Sequence, residues 1–139
     1  MKLSLVLCLP RDAETVRVTR NVLDASLAAL EVTADIRDDI ALALGEACAN
    51  VIEHADSSDE YEVRVQLTNW LCVVEVVDTG RGFDSASLNQ SRAGEPATAE
   101  HGRGLQIIDA LAENLQITSR PLEGAMIRFE KPLQTSVSI

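Results

Sequence analysis

The strongest constraint on the fold is a pair of β-rich runs in the middle of the chain, joined by a very short link. The segment YEVRVQLTNWLCVVEVVD, residues 61–78, is interrupted only around Thr68, Asn69 and Trp70. Two runs rich in β-branched residues on either side of so short a link are typical of a β-hairpin. We therefore predict two adjacent antiparallel strands, against which the rest of the chain has to pack.

Hydrophobic periodicity predicts the other elements. The first are a strand over residues 2–9 that Pro10 ends, and two helices over about residues 12–30 and 35–55 that Asp12 and Asp35 cap. A third helical pattern follows in GLQIIDALAENL. Two closing strands, LQITSR and AMIRFE, flank a turn at residues 121–124. The polar segment 84–101 is predicted to be a surface loop. This order predicts a single domain over residues 1–139, an α+β two-layer sandwich with a mixed, mainly antiparallel sheet and helices on one face.

Composition narrows the classes of function. A formal net charge of −10, without a cluster of Lys and Arg, disfavours nucleic acid binding. No apolar run approaches the ~20 residues that a membrane helix needs. Cys8, Cys48 and Cys72 lack Cys-x-x-Cys spacing, which favours reduced thiols over a disulfide framework or a zinc site. We expect a soluble, cytoplasmic protein that binds neither nucleic acid nor membrane.

The second predicted helix carries polar residues along the edge of its apolar stripe. Glu46, Asn50 and His54 follow one another at intervals of four residues, so they form one line on the helix. At this spacing an amide oxygen can bind a hard cation while a carboxylate takes a proton. The alternative is an ordinary solvated edge. For His54 we favour a capping or helix-dipole role over catalysis.

A first glycine motif, VVDTGRGFD, follows the second strand of the hairpin. It places Asp78 at the strand end, before Gly80 and Gly82. Glycines there let the backbone approach a flat ligand, and a carboxylate can accept a hydrogen bond from an exocyclic amine such as that of adenine. In isolation the motif is also compatible with an ordinary turn after a strand.

A second glycine motif, EHGRGLQIID, places Gly102, Arg103 and Gly104 immediately before a predicted helix. Unpaired N–H groups at a helix start favour phosphate, and the arginine adds a charge that can reach it. Alone, this motif is often only a tight loop. The chain lacks the P-loop and the third glycine of the dinucleotide-binding fingerprint.

In this order the three motifs resemble the N, G1 and G2 boxes of the GHKL ATPase superfamily, whose nucleotide-binding unit is the Bergerat fold. The stretches LALGEACANVIEHA, VVDTGRGFD and HGRGLQIID are similar to those of the bacterial anti-sigma-factor serine/threonine kinases. The similarity extends over nearly the whole chain. It therefore implies the histidine-kinase-like ATPase fold for a single domain.

The resemblance implies a role for each matched residue. Asn50 would hold Mg²⁺ on the ATP phosphates, Glu46 would be the general base, and Asp78 would bind the adenine amine. The remaining matched residues would shape the pocket and surround the phosphates, with Leu105 acting by packing: Gly80, Gly82, Gly102, Arg103, Gly104 and Leu105. Residues 84–101 would form the lid over ATP. The chain departs from the family at GAM, residues 124–126, which lacks a threonine that often assists the adenine site.

By the same resemblance, the protein would be an anti-sigma factor and kinase. It would bind ATP and Mg²⁺, sequester an alternative sigma factor, and phosphorylate a serine or threonine on an antagonist protein. Homodimers are typical of the family, with the first strand and first helix as candidate interface elements. Two alternatives are a binding module of this fold without kinase activity, which the intact Glu46 disfavours, and a separated histidine-kinase catalytic domain. The chain shows no upstream dimerisation helix with a phosphoacceptor histidine, which disfavours the second.

Overall fold

The computed structural model describes residues 2–54, 60–78, 100–120 and 124–133. Within these ranges, five strands form one sheet and three helices pack with it. The strands are β1 (Lys2–Pro10), β2 (Glu60–Thr68), β3 (Leu71–Asp78), β4 (Glu113–Arg120) and β5 (Gly124–Pro132), and the helices are α1 (Glu14–Ala29), α2 (Ala34–His54) and α3 (Glu100–Leu111). The predicted α+β architecture is confirmed.

The strands lie in the order β1-β2-β3-β5-β4, and every neighbouring pair in this described sheet is antiparallel. The β2–β3 hairpin forms as predicted. In its turn, Thr68 Oγ1 accepts hydrogen bonds from the amides of Trp70 at 3.3 Å and Leu71 at 3.1 Å. A threonine hydroxyl that binds backbone amides two and three residues later stabilises so short a link.

The core lies between the helices and one face of the sheet. Along β3 every second residue is buried, from Cys72 to Asp78, as the period of a strand requires. The apolar stripe of α2 covers this face with side chains that are at most 1% exposed: Ile40, Leu44, Ala47 and Val51. Because α1 and α3 pack against α2 in turn, α2 is the central helix of the layer.

The first two helices begin close to the predicted residues. Asp12 lies just before the N-cap residue Ala13, and α1 begins at Glu14. Asp12 nevertheless caps the first turn, because its Oδ1 accepts a hydrogen bond from the Glu14 amide at 3.0 Å. Asp35 is not the cap of α2 but lies within its first turn. Pro10 does not stop β1 early but forms its last pair, with Glu60.

The start of α3 differs from the prediction. We expected Gly102 and Gly104 to precede the helix, but α3 begins at Glu100 and includes both glycines. Residues 100 and 101 of the predicted loop 84–101 are therefore helical, and the rest of that loop lies outside the described residues. The predicted turn after β4 is described only at Gly124.

The end of α3 also differs. The helical segment GLQIIDALAENL and the strand LQITSR are predicted to meet at Leu115, but α3 ends at Leu111 and β4 begins at Glu113. Asn114 has a left-handed φ of 53°. The β4–β5 pairing shifts register just after Glu113. Leu115 lies in β4, as the strand prediction for LQITSR has it, and packs against the core. A short apolar run fits both periods, so periodicity alone could not locate this boundary.

The three cysteines are free thiols. Cys48 and Cys72 lie in the core, where burial raises the pKa of each thiol to about 12. Cys8 is exposed on β1. None of the helices in the described part of the chain is long and apolar enough to cross a membrane.

Candidate active site

The candidate site is formed where α3 passes over the C-terminal half of α2. A Cβ atom placed on Gly104 would lie 2.9 Å from Glu46 Oε2 and 3.0 Å from Asn50 Nδ2. Real Cβ atoms scarcely ever approach another atom as closely as the first of these distances. The α3 backbone therefore lies directly against both polar side chains of α2, at a position that only glycine can occupy without a shift. The structure thus brings together three of the predicted site residues.

Leu105 fixes this approach. It follows Gly104 on α3, is 2% exposed, and belongs to the hydrophobic core. Burial of a leucine side chain stabilises its position by roughly 1.5–3 kcal/mol relative to exposure. The packing role predicted for Leu105 stays a prediction that is compatible with this buried position beside Gly104.

Asn50 is one of the few polar side chains in the core, at 2% exposed. Its Nδ2 donates a hydrogen bond to the Glu46 carbonyl oxygen at 3.1 Å, one helical turn earlier. Its Oδ1 is buried and accepts no hydrogen bond from the described residues. Leaving a buried acceptor unsatisfied costs about 1–3 kcal/mol, so a native structure keeps such a group where a ligand, ion or water can use it. Asn50 Oδ1 is therefore available to a ligand.

This oxygen suits a hard cation that arrives with a phosphate ligand. Among the described residues, no group of three or more His, Cys, Asp or Glu side chains could hold a metal ion. Mg²⁺ at phosphate sites usually takes only one or two protein ligands, with waters and phosphate oxygens completing its octahedron. Asn50 Oδ1 fits that requirement as a single protein ligand, and the half-buried Glu46 carboxylate lies one turn away.

Asp78 is completely buried at the end of β3, on the face of the sheet that the helices cover. A carboxylate that is removed from water needs hydrogen-bond donors or a charged partner. Its cross-strand neighbour in β5 is Ala125. Ala125 belongs to the GAM segment. The threonine hydroxyl that this segment lacks is therefore absent at the position that pairs with Asp78.

The other predicted site residues are described in part or not at all. Gly80 and Gly82 lie outside the described residues. Gly102 and Arg103 belong to the first turn of α3, but no contacts of theirs are described. Their roles at the adenine pocket and the phosphates stay predictions, as does the capping role of His54 at the end of α2.

Sequence reasoning missed Arg11, which contacts the helix that carries the site. Its Nη2 donates hydrogen bonds to the carbonyl oxygens of Ile52 at 2.6 Å and Val51 at 3.4 Å. The only signal in the sequence is an arginine directly after the last residue of β1. Its partners lie about 40 residues later, and no local pattern connects the two segments.

Comparisons with known proteins agree with the fold and the motifs. Residues 9–131 match the histidine kinase-like ATPase domain family. The serine-protein kinase RsbW of Bacillus cereus (strain G9842) is 28% identical over 135 residues, which cover 91% of this chain and 82% of that protein. RsbW of Bacillus anthracis is 27% identical, with the same coverage.

Solved structures show the same fold. The RsbU and RsbW domains of a Mycobacterium tuberculosis protein match with a TM-score of 0.71 and 18% identity, over 99% of this chain and 34% of that longer chain. This chain therefore spans about a third of that solved chain. The SiaB–SiaC complex of Pseudomonas aeruginosa matches with a TM-score of 0.65 and 14% identity, over 92% of this chain and 89% of that one. Together these matches confirm the resemblance predicted from the three motifs.

Proposed function

Because the chain belongs to the histidine kinase-like ATPase domain family, we propose that it binds ATP with Mg²⁺ between α2 and α3 and transfers phosphate to a protein serine or threonine. The predicted enzyme class, protein serine kinase, is confirmed by the relatives that carry this name. The proposal adds the site, the cofactors and the role of each residue.

One observation carries the proposal. The α3 backbone at Gly104 lies against Glu46 and Asn50. The buried amide oxygen of Asn50, Oδ1, accepts no hydrogen bond from the described residues. A structural polar pair in a core would satisfy its own atoms. A site that leaves an oxygen ligand ready beside a carboxylate supports binding of a metal–phosphate group.

The residues divide the chemistry among themselves. Asn50 Oδ1 would hold Mg²⁺, which neutralises the phosphate charge when it is bound. Glu46, one turn earlier, would accept the proton of the attacking hydroxyl. Asp78 would accept a hydrogen bond from the adenine amine. The lack of a side chain at Gly104 lets the α3 backbone lie directly against Glu46 and Asn50. Gly80, Gly82, Gly102 and Arg103 would complete the pocket, and residues 84–99 of the predicted lid would cover it.

We further propose that the protein acts as an anti-sigma factor. It would sequester an alternative sigma factor in the cytoplasm and phosphorylate an antagonist protein that competes for it. The naming of its relatives as RsbW serine-protein kinases supports this reading. A homodimer through β1 and α1 is proposed, because β1 is an edge strand of the described sheet and each of the two elements exposes a valine, Val6 at 60% and Val18 at 50%.

A labelled-phosphate experiment tests the kinase. Heat-inactivated extract from cells of the source organism supplies protein acceptors, and γ-labelled ATP with Mg²⁺ supplies the phosphate. We expect acid-stable phosphoserine or phosphothreonine on a discrete protein with the wild type. Glu46→Gln should lower the rate at least about 10²-fold, the usual contribution of a general base.

Asp38→Asn is the matched control, because Asp38 is an exposed carboxylate on the same helix. This variant should transfer phosphate at the wild-type rate. Acid-labile phosphohistidine would instead identify a histidine-kinase catalytic domain. Binding of ATP without any transfer would identify a binding module, and an unchanged rate in Glu46→Gln would contradict the assignment of the base.

A further inference from the structure

The last turn of α2 begins where the candidate site ends. Asn50 is followed by four residues, 51–54, that complete the helix. In a helix that ends at His54, the carbonyl groups of these residues find no intrahelical N–H donor among the described residues. Such a turn frays unless other groups donate to it. Fraying would displace Asn50, because Asn50 immediately precedes these residues.

Arg11 supplies donors to this turn from a distant part of the chain. Its guanidinium donates to the first two of these carbonyl groups, at 2.6 Å to Ile52 and 3.4 Å to Val51. A positive charge at this end of a helix also interacts favourably with the helix dipole. Arg11 therefore stabilises the turn by hydrogen bonding and by charge.

The segment that carries Arg11 is itself fixed. Between β1 and α1, the Asp12 amide donates to the Pro10 carbonyl at 2.8 Å, and Thr15 Oγ1 donates to the Asp12 carbonyl at 2.6 Å. The same Thr15 hydroxyl lies 2.6 Å from the hydroxyl of Tyr61 in β2. Pro10 pairs with Glu60 in the sheet. Arg11 thus connects the end of α2 to a rigid corner of the sheet.

We propose that Arg11 is a positioning residue for Asn50, and that it is required for the Mg²⁺-dependent part of ATP binding. It acts through the last turn of α2 and touches neither nucleotide nor metal. The inference rests on the proposed ATP–Mg²⁺ site. The ATP affinity then has two parts. The part that needs Mg²⁺ and Asn50 depends on Arg11. The part that comes from Asp78 needs no metal and does not depend on Arg11.

The test compares ATP dissociation constants in Mg²⁺ and in EDTA for the wild type, Arg11→Met, Arg11→Lys and Arg17→Met. Arg17 is the matched control, since its side chain is 75% exposed and forms a surface ion pair with Glu14. The dissociation constant in EDTA divided by that in Mg²⁺ gives the affinity ratio. We expect Arg11→Met to lower this ratio about 10-fold or more, the usual effect of changing a residue that supports a metal ligand. Arg17→Met should keep the wild-type ratio, and Arg11→Lys should give an intermediate one.

Amide hydrogen exchange in the free protein provides a second readout. Residues 50–54 should exchange faster in Arg11→Met than in Arg17→Met. An unchanged affinity ratio in Arg11→Met would overturn this inference alone, as would an equal loss of affinity with and without Mg²⁺. If Arg11→Met does not fold, a wild-type ratio and wild-type exchange in Arg11→Lys would overturn it. A wild type without Mg²⁺-dependent binding would overturn the proposed function together with the inference.

Discussion

At Gly104, the lack of a side chain determines whether α2 and α3 can form a site. Gly45 offers a comparison on the neighbouring helix. A Cβ atom on Gly45 would lie 3.4 Å from Arg20 Cδ and 4.0 Å from Val16 Cγ1, which are ordinary contacts on the side of α1. The two glycines therefore have different reasons to be present. Gly104 makes room for polar site atoms, whereas Gly45 lies against the flexible stem of an arginine.

Alanine at each glycine should separate these roles. In Gly104→Ala the new methyl group has to displace Glu46 or Asn50, so we expect the Mg²⁺-dependent affinity for ATP to fall at least tenfold, about 1.4 kcal/mol. In Gly45→Ala the affinity should be unchanged, and helix propensity should stabilise the protein by up to about 1 kcal/mol. Calorimetric titration and urea unfolding measure the two effects. Wild-type ATP affinity in Gly104→Ala would show that this contact is not part of the site.

The positions of single site residues could be predicted where residues of suitable chemistry stand at a spacing that places them on one helix face. The four-residue interval between Glu46 and Asn50 places both on one helix face, and the structure has them together beneath Gly104. Arg11 could not be predicted, because its hydrogen bonds to Ile52 and Val51 depend on the tertiary fold. Burial of Asn50 could not be predicted either, since an asparagine at a helix edge is usually exposed.

Among the elements, β5 holds both helices of the site through Lys131. Its Nζ donates to Asp39 Oδ2 on α2 at 3.0 Å and to the Leu111 carbonyl at the end of α3 at 2.5 Å. The Lys131 side chain is only 19% exposed, so this ammonium group is partly withdrawn from water. Lys131 thereby fixes the C-terminal end of α3, while Gly104, near the start of α3, contacts α2.

Removal of this ammonium group should destabilise the domain. Lys131→Met keeps the length of the side chain but loses charged hydrogen bonds, which are worth about 1.5–3 kcal/mol in proteins. The midpoint of urea unfolding should fall by a corresponding amount with an unchanged m-value. Lys2→Met, at an exposed position of β1, is the control and should unfold like the wild type. Equal midpoints for the two variants would show that the Lys131 contacts do not stabilise the fold.

Prediction of the elements succeeded where long segments have one clear period. The hairpin and the two long helices were found within a few residues of their ends. The boundary between α3 and β4 was predicted too late in the chain, because the residues between Leu111 and Leu115 fit a continued helix as well as a strand. The left-handed Asn114, which accompanies the change from helix to strand, has no signal strong enough to override that pattern.

For the whole molecule, the site depends on segments that are far apart in the chain. The strand order places β5 between β3 and β4, so the last strand of the described residues becomes the neighbour of Asp78. Such an arrangement follows from long-range pairing and not from local propensity. The order of the three motifs nevertheless predicted the fold, because each motif occupies a fixed place in it. The strand register, which sets Ala125 opposite Asp78, required the structure.

The most direct measurement is calorimetric titration of ATP into the whole protein, with Mg²⁺ and with EDTA, for the wild type and Asn50→Ala. Asn50 Oδ1 is the buried oxygen on which the proposed metal site depends. The wild type should bind ATP more tightly with Mg²⁺, and Asn50→Ala should lose that difference while its affinity in EDTA stays the same. Asn21→Ala, on the exposed side of α1, should behave like the wild type. If Mg²⁺ strengthened ATP binding by Asn50→Ala as much as by the wild type, or if the wild type did not bind ATP, the proposed site would be contradicted.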